Sequence, residues 1–122
     1  MLKLKKTLWL ALLGALAFPM PASAAGLWEP ATITRISVNS GGTAFLRLDP
    51  ISTNVGYVKA GCSTNGLWQV AFDASTPAGQ AMLSLALSAH LSKKPVRVVG
   101  SGTCPANAGV EGISFFDILP AD

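Results

Sequence analysis

Histidine and cysteine are scarce in this chain of 122 residues, which contains one His and two Cys. Cys62 and Cys104 do not form a Cys-x-x-Cys pair, and His90 is the only imidazole available to join them, so no metal site is expected. Gly-x-Ser-x-Gly, phosphate-loop and His-Glu-x-x-His motifs are also missing. The carboxylates are dispersed, with no pairing visible from their spacing. We therefore expect neither a catalytic site nor a cofactor.

The N-terminus has the three parts of a secretory signal peptide. A basic start with three lysines precedes an apolar core from Leu8 to Phe18, and Ala22-Ser23-Ala24 is a small-residue cleavage site. The alternative is a membrane anchor, but the apolar run is about half of the ~20 residues that a spanning helix needs. We predict a cleaved signal peptide over residues 1–24, with Ala25 as the close alternative for its last residue, and one domain over residues 25–122.

The predicted mature chain also has no net charge. The sequence has nine Lys and Arg against six Asp and Glu, and the three lysines of the signal peptide account for the whole excess of +3. Six basic residues then balance six acidic ones. A neutral, exported domain lacks the basic surface that nucleic acid requires. We expect a secreted or periplasmic protein with no nucleic-acid partner and, after cleavage, no membrane span.

The two cysteines are expected to be bonded. In an oxidising compartment, an even pair in a small domain indicates a disulfide, and Cys62–Cys104 would close a span of 42 positions, 104 minus 62. An intermolecular disulfide is the alternative.

One long apolar helix is predicted between Thr76 and Lys93. Thr76 and Pro77 are typical of an N-cap and a first helical position, and Lys93-Lys94-Pro95 ends the run. His90, in the last turn, is expected to be a capping or interface residue. The polar positions form one narrow stripe: Gln80, Ser84, Ser88 and Ser92. The remaining apolar surface is wider than one small sheet covers, so either this chain buries it on two sides or a second copy does.

Five β-branched or alternating segments predict strands. They are Ala31–Val38, Thr43–Leu48, Leu67–Phe72, Val96–Gly100 and Val110–Leu119. Asn39–Gly42 is a hairpin turn, and a short extension is possible over residues 57–59. The order β-β-β-α-β-β predicts a mainly β, α+β fold, a five-stranded OB-fold-like Greek-key barrel. A ferredoxin-like fold would need a second helix, which the sequence does not offer.

Alternation also predicts which strand residues share a face. The predicted sets are Thr34, Ile36 and Val38; Ala44, Leu46 and Leu48; Trp68, Val70 and Phe72; and Ile113 with Phe115.

The layout resembles a known family. Its parts are the signal peptide, a Trp-containing lead-in from Gly26 to Pro30, a Gly-rich first hairpin, a Cys before the third strand, the apolar helix, and Lys-Lys-Pro-Val-Arg-Val-Val-Gly-Ser-Gly-Thr-Cys. Together they look like the OB-fold B subunits of AB5 toxins, especially the subtilase-cytotoxin type. This resemblance implies a ring pentamer with its helices around a central channel, binding of sialylated glycans, and a toxin partner protein.

Two functions follow as hypotheses. The first is an exported, non-enzymatic binding module for a glycan or an envelope partner, using the barrel face and two loops, residues 39–42 and 101–109. The candidate ligand contacts are Trp28, Arg35, Arg47 and Tyr57, whose alternative roles are core packing for Trp28 and ordinary surface for the others. The second is a structural or interaction protein of the bacterial cell envelope with no soluble ligand.

Overall fold

A computed structural model describes residues 24–120, so the predicted signal peptide lies outside the described residues apart from Ala24. The elements in chain order are β1 (Leu27–Val38), β2 (Thr43–Asp49), β3 (Val70–Asp73), α1 (Pro77–Ser92), β4 (Val96–Gly100) and β5 (Ile113–Ile118). The strands form one antiparallel sheet in the order β3-β2-β1-β4-β5. The predicted mainly β, α+β class is therefore confirmed. No helix within residues 24–120 has the length and apolar character to cross a membrane.

β1 is the central strand, and it pairs with two different strands along its length. Its first part pairs with β4, from Leu27 opposite Val99 to Ala31 opposite Val96. Its second part pairs with β2, from Thr32 opposite Asp49 to Val38 opposite Ala44. The segment that the sequence assigned to a lead-in therefore belongs to β1. The backbone groups of Leu27 and Glu29 are also bonded to Asn54, which ties the loop after β2 to this strand.

The apolar core lies on the inner side of the sheet, beneath the helix. Its buried side chains come from four strands and the helix: Trp28, Ala31, Ile33, Ala44, Leu46, Leu48, Val70, Phe72, Ala86, Ala89, Val96 and Val98. Alternation on β2 places Ala44, Leu46 and Leu48 inward, as the sequence predicted.

Two irregularities in the ladders change the predicted faces. A register shift between Ile33 and Arg35 leaves Ile33 buried and turns Thr34 outward, so the prediction that Thr34 shares the inner face is wrong. A shift near Val99 and Gly100 similarly leaves Ile113 against the core and Phe115 half exposed. A β-bulge adds one residue on one strand only, which reverses the alternation beyond it.

The helix begins and ends at the predicted residues. The Thr76 hydroxyl accepts a hydrogen bond from the backbone N–H of Gly79 at 3.0 Å, Pro77 opens the helix, and Lys93 ends it with a left-handed φ of 56°. Gly79 is buried where a Cβ would overlap the carbonyl oxygen of Asp73, so the first turn lies directly on the end of β3. His90 donates from Nδ1 to the carbonyl oxygen of Ile33 at 2.7 Å, which fixes the last turn to β1 rather than capping the helix itself.

Only one side of the helix is buried within a single chain. Ala86 and Ala89 contact the core, and Met82 and Leu83 are packed against it. The outer side exposes Leu87 by 43% and Leu91 by 80%. Two-sided burial within one chain, one of the two explanations for the wide apolar surface, is therefore not what the structure has.

The loops between β2 and β3 are largely irregular. The short extension expected over residues 57–59 is not a strand, and β3 begins at Val70 rather than Leu67.

Asn39 organises the hairpin between β1 and β2, where its side-chain oxygen accepts from the N–H groups of Gly41 and Thr43, each at 3.0 Å. Gly42 follows with a φ of 85°, which a glycine adopts without strain. The predicted hairpin turn is confirmed.

Candidate functional site

Two of the predicted contact residues face each other on the outer side of the sheet. Arg35 of β1 is the register partner of Arg47 on β2, and both side chains point away from the core. The bulge before Arg35 also brings Thr34 to this side, where its hydroxyl donates to the Arg47 carbonyl oxygen at 3.3 Å. Two arginine residues thus lie opposite each other on neighbouring strands, on a surface whose opposite face is the core.

Two aromatic rings adjoin this arginine pair. The Arg35 guanidinium carbon lies 5.3 Å from the centroid of the Trp68 ring, within the range of a cation–π contact. Phe45, two positions before Arg47 on the same face of β2, packs against Trp68 with ring centroids 5.6 Å apart. We call Arg35, Phe45, Arg47 and Trp68 the arginine–aromatic face.

A surface cavity of about 450 Å³ lies at the arginine end of this face. Its lining residues are Thr34, Arg35, Arg47, Leu48, Asp49 and Ile51. Within residues 24–120 the structure contains one salt bridge, between Arg97 and Glu29, and it involves neither arginine of the cavity. The cavity therefore holds two arginines and one carboxylate, Asp49, with a net positive charge. Arginine side chains at such a position can form paired hydrogen bonds with a carboxylate.

Trp28 does not take part in this surface. The side chain is 1% exposed in the core, and its indole N–H donates to the carbonyl oxygen of Ile51 at 2.9 Å. Its ring faces are covered by protein, so they are not available to stack on a sugar from solvent. Of the two roles weighed for Trp28, the structure has the packing role.

Tyr57 lies apart from the two arginines. It is half exposed in the loop between β2 and β3, where its backbone carbonyl accepts from the Thr53 hydroxyl at 2.6 Å. It is not among the residues that line the cavity. The four candidate contacts thus divide into one pair that shares a site, one core residue and one loop residue.

Trp68 and Phe45 are functional candidates that the sequence interpretation missed. It predicted Trp68 on the inner face with Val70 and Phe72, but the chain bends at Gln69, just before β3, so Trp68 lies on the outer side. Gln69 is itself buried, and its Oε1 accepts from the Leu48 N–H at 2.6 Å. Phe45 was detectable, because a large aromatic residue between inward Ala44 and Leu46 must point outward.

The predicted disulfide is confirmed within one chain. Cys62 and Cys104 are bonded and their Cα atoms are 6.2 Å apart. The bond joins the loop before β3 to the loop between β4 and β5. The Thr64 and Asn65 N–H groups both donate to the Gly109 carbonyl oxygen near this crosslink. The second loop that was predicted to contact ligand, residues 101–109, is therefore held against the 60–65 segment and not against the arginine–aromatic face.

A second surface cavity, of about 480 Å³, lies between the start of the helix, the end of β3 and the loop before β5. Asp73 lies at its edge and is fully exposed. The Ser75 hydroxyl and the Ser75 backbone N–H both donate to the Asp73 carboxylate, which lowers the pKa of that carboxyl below its ordinary value of 3.8. The cavity is lined mainly by small and apolar residues, and none of the four candidate contact residues lines it. The two loops predicted to bind ligand do meet there, through Gly41 of the first loop and Pro105 and Ala106 of the second.

Within residues 24–120, no group of three or more His, Cys, Asp and Glu side chains is placed to hold a metal ion. Comparison of the chain with protein-family models, curated proteins and solved structures finds no match.

Proposed function

We propose that the chain is an exported, non-enzymatic binding module of OB-fold type. Support for a closed Greek-key barrel comes from the two edge strands of the sheet. The Ala71 N–H of β3 donates to the Glu111 carbonyl oxygen at 2.9 Å, and Val70 forms a parallel bridge with Glu111 just before β5. These contacts connect the ends of the order β3-β2-β1-β4-β5, which is how an OB barrel closes. The helix between β3 and β4 has the position expected for that fold.

The proposed ligand is a glycan that carries a carboxylate, such as a sialylated oligosaccharide, bound at the arginine–aromatic face. The observation that carries this proposal is the pairing of Arg35 with Arg47 across β1 and β2, with the Trp68 ring beneath Arg35. Guanidinium groups bind carboxylates through paired hydrogen bonds, and the half-buried Trp68 ring holds the Arg35 side chain in place. Phe45 and Arg47 lie on β2, and the face of strands 2 and 3 is a ligand surface of OB-folds.

The export half of the proposal rests on the N-terminal sequence pattern and on the disulfide. A disulfide is typical of proteins that fold in an oxidising compartment. The resemblance to B subunits of AB5 toxins adds the expectation of a ring of identical chains and of a toxin partner.

A glycan array with the mature protein tests the proposal. It should carry sialylated glycans, uronic acid oligosaccharides and the desialylated counterparts of the first set. We expect binding to acidic glycans and loss of binding on desialylation. The Arg47→Ala variant should lose the signal, whereas Arg97→Ala should keep it, because Arg97 already pairs with Glu29 at 3.3 Å and lies outside the cavity. Equal binding of acidic and neutral glycans, or none at all, would refute the carboxylate specificity.

The second candidate is a structural or interaction protein of the cell envelope that has no soluble ligand. The observation that favours it is the exposed apolar side of the helix, where Leu85 and Leu87 are each more than two-fifths exposed and Leu91 is 80% exposed. Monomeric proteins rarely expose large contiguous apolar patches, so this surface suits contact with another chain, including a second copy of this one. Failure to bind any glycan on the array, together with formation of a stable homo-oligomer, would favour this candidate.

A further inference from the structure

Glu111 is a fully buried carboxylate held by backbone groups from three segments of the chain. Its oxygens accept from the N–H of Ala60 at 2.6 Å, from that of Gly102 at 3.3 Å, and from that of Gly26 at 3.0 and 3.4 Å. The Gly26 nitrogen is the only one of the three that contacts both oxygens. Gly100 lies against the same carboxylate, where a Cβ would overlap Glu111 Oε2.

No cationic side chain compensates this carboxylate in the described part of the chain. The salt bridge found within residues 24–120 joins Arg97 to Glu29, on a different part of the sheet. A carboxylate removed from water is strongly disfavoured unless hydrogen bonds and an opposite charge compensate the lost hydration. Three backbone donors supply the hydrogen bonds. None of these donors carries a positive charge, so a nearby cationic group would stabilise the carboxylate further.

The position of Gly26 in the sequence suggests that group. Gly26 follows Ala24-Ala25 directly, and Ala25 is one of the two predicted final residues of the signal peptide. Hydrolysis of the Ala25–Gly26 peptide bond consumes one water and leaves a carboxylate on Ala25 and an α-ammonium group on Gly26. That ammonium nitrogen would be the atom that now contacts both oxygens of Glu111.

We propose that a signal peptidase cleaves this chain between Ala25 and Gly26, and that Glu111 is the buried binding site for the resulting α-ammonium group. The Gly26 carbonyl oxygen accepts from the Gly100 N–H at 2.8 Å, which holds the residue in line with β1. A side chain at this position would meet the Trp28 ring, so a glycine fits where a larger first residue would not. Cleavage after Ala24 would instead put the charge one residue away, about 3.8 Å along the chain.

The first test is the intact mass and N-terminal sequence of the exported protein. We expect a mature chain that begins at Gly26. A chain that begins at Ala25 would overturn the proposal, because the Gly26 nitrogen would then remain an amide. This test is independent of the proposed glycan binding, since neither Glu111 nor Gly26 lines the arginine cavity.

The second test is a thermodynamic cycle on purified chains that begin at Gly26 or at Ala24, each with Glu111 or with the Glu111→Gln substitution. With Glu111, the chain that begins at Gly26 should unfold at a higher urea concentration than the chain that begins at Ala24. In the two Glu111→Gln chains the difference should disappear, because the neutral amide gives no charge pairing. Equal midpoints for the two Glu111 chains would contradict the ion pair.

A third measurement applies even if the Glu111→Gln chains do not fold. The measurement is the rate at which an amine-reactive label modifies the α-amino group of each Glu111 chain. The chain that begins at Gly26 should be labelled roughly tenfold more slowly, or slower still, than the chain that begins at Ala24, because labelling of a buried group requires local opening. The exposed Lys93 and Lys94 should be labelled at the same rate in both chains and serve as internal controls. Equal α-amino labelling rates would contradict a buried ion pair.

Discussion

The guanidinium group of Arg35 lies over the indole ring of Trp68, 5.3 Å from its centroid, on the outer side of the sheet. The contact holds Arg35 beside Arg47. Because the Arg35 side chain is already ordered, it loses less conformational entropy when a ligand binds. A flat aromatic surface and two positive charges are thereby combined in one place. On this basis Trp68 belongs to the proposed site, although it does not line the cavity itself.

Trp68→Ala should weaken binding of an acidic glycan about tenfold with only a modest loss of stability, since the residue is only partly buried. Trp28→Ala is the contrasting substitution. It empties a core position that is 1% exposed and should cost about 3–5 kcal/mol of folding free energy. Calorimetric titration and urea unfolding measure the two effects. Unchanged affinity in Trp68→Ala would remove Trp68 from the site.

The crosslink between Cys62 and Cys104 should contribute a large share of the stability. It closes a separation of 42 residues, worth about 4 kcal/mol in the chain-entropy model. Cys104→Ser should therefore lower the free energy of unfolding by roughly that amount, out of a total of about 5–15 kcal/mol for a domain. The double variant Cys62→Ser with Cys104→Ser should match the reduced wild type. Non-reducing mass spectrometry that finds two free thiols would contradict the bond.

Gly79→Ala should destabilise the protein even though alanine is the better helix former. A Cβ at Gly79 would overlap the Asp73 carbonyl oxygen, so the first turn of the helix must move away from β3. Overpacking of this kind costs about 1–3 kcal/mol. Gln80→Ala, one residue along and exposed, should be neutral or slightly stabilising. Thermal unfolding of the two variants measures this difference in stability. Equal unfolding temperatures would contradict the close contact between the helix and β3.

The exposed side of the helix leads to a prediction about assembly. We expect a homo-oligomer, with a ring pentamer as the form implied by the resemblance, and light scattering on the wild type should give a mass of several chains. Leu87 is 43% exposed, so Leu87→Asp should dissociate the assembly and leave folded monomers. Ala86 is fully buried, so Ala86→Asp should unfold the chain. A monomeric wild type would refute the assembly.

Local signals made the regular elements predictable from the sequence. Thr76 and Lys93 mark the two ends of the helix, because an N-cap side chain and a left-handed C-cap each act within one turn. Val96–Gly100 is β4 with the predicted bounds. The outward direction of Arg35 and Arg47 was also predicted. That they are register partners was not, because the pairing depends on the hairpin length together with the bulge after Ile33.

The features that were missed depend on contacts between distant parts of the chain. The sequence placed Trp28 in a lead-in before the first strand, and only the pairing of Leu27 and Trp28 with β4 shows that it is a core residue of β1. Glu111 was one of several dispersed carboxylates, and only the fold brings Gly26, 85 positions away, to its oxygens. The bend before β3 moved Trp68 from the predicted inner face to the outer one.

Binding of an acidic glycan at the arginine–aromatic face is tested most directly by the affinity of the mature protein for one sialylated oligosaccharide, measured calorimetrically. The same measurement is made with the desialylated counterpart and with the Arg47→Ala and Arg97→Ala variants. Loss of one charge-assisted contact should weaken binding by roughly ten- to a hundredfold in Arg47→Ala. We expect that loss in Arg47→Ala, wild-type affinity in Arg97→Ala, and no measurable binding of the desialylated glycan. Equal affinity of wild type and Arg47→Ala, or equal affinity for the two glycans, would contradict it.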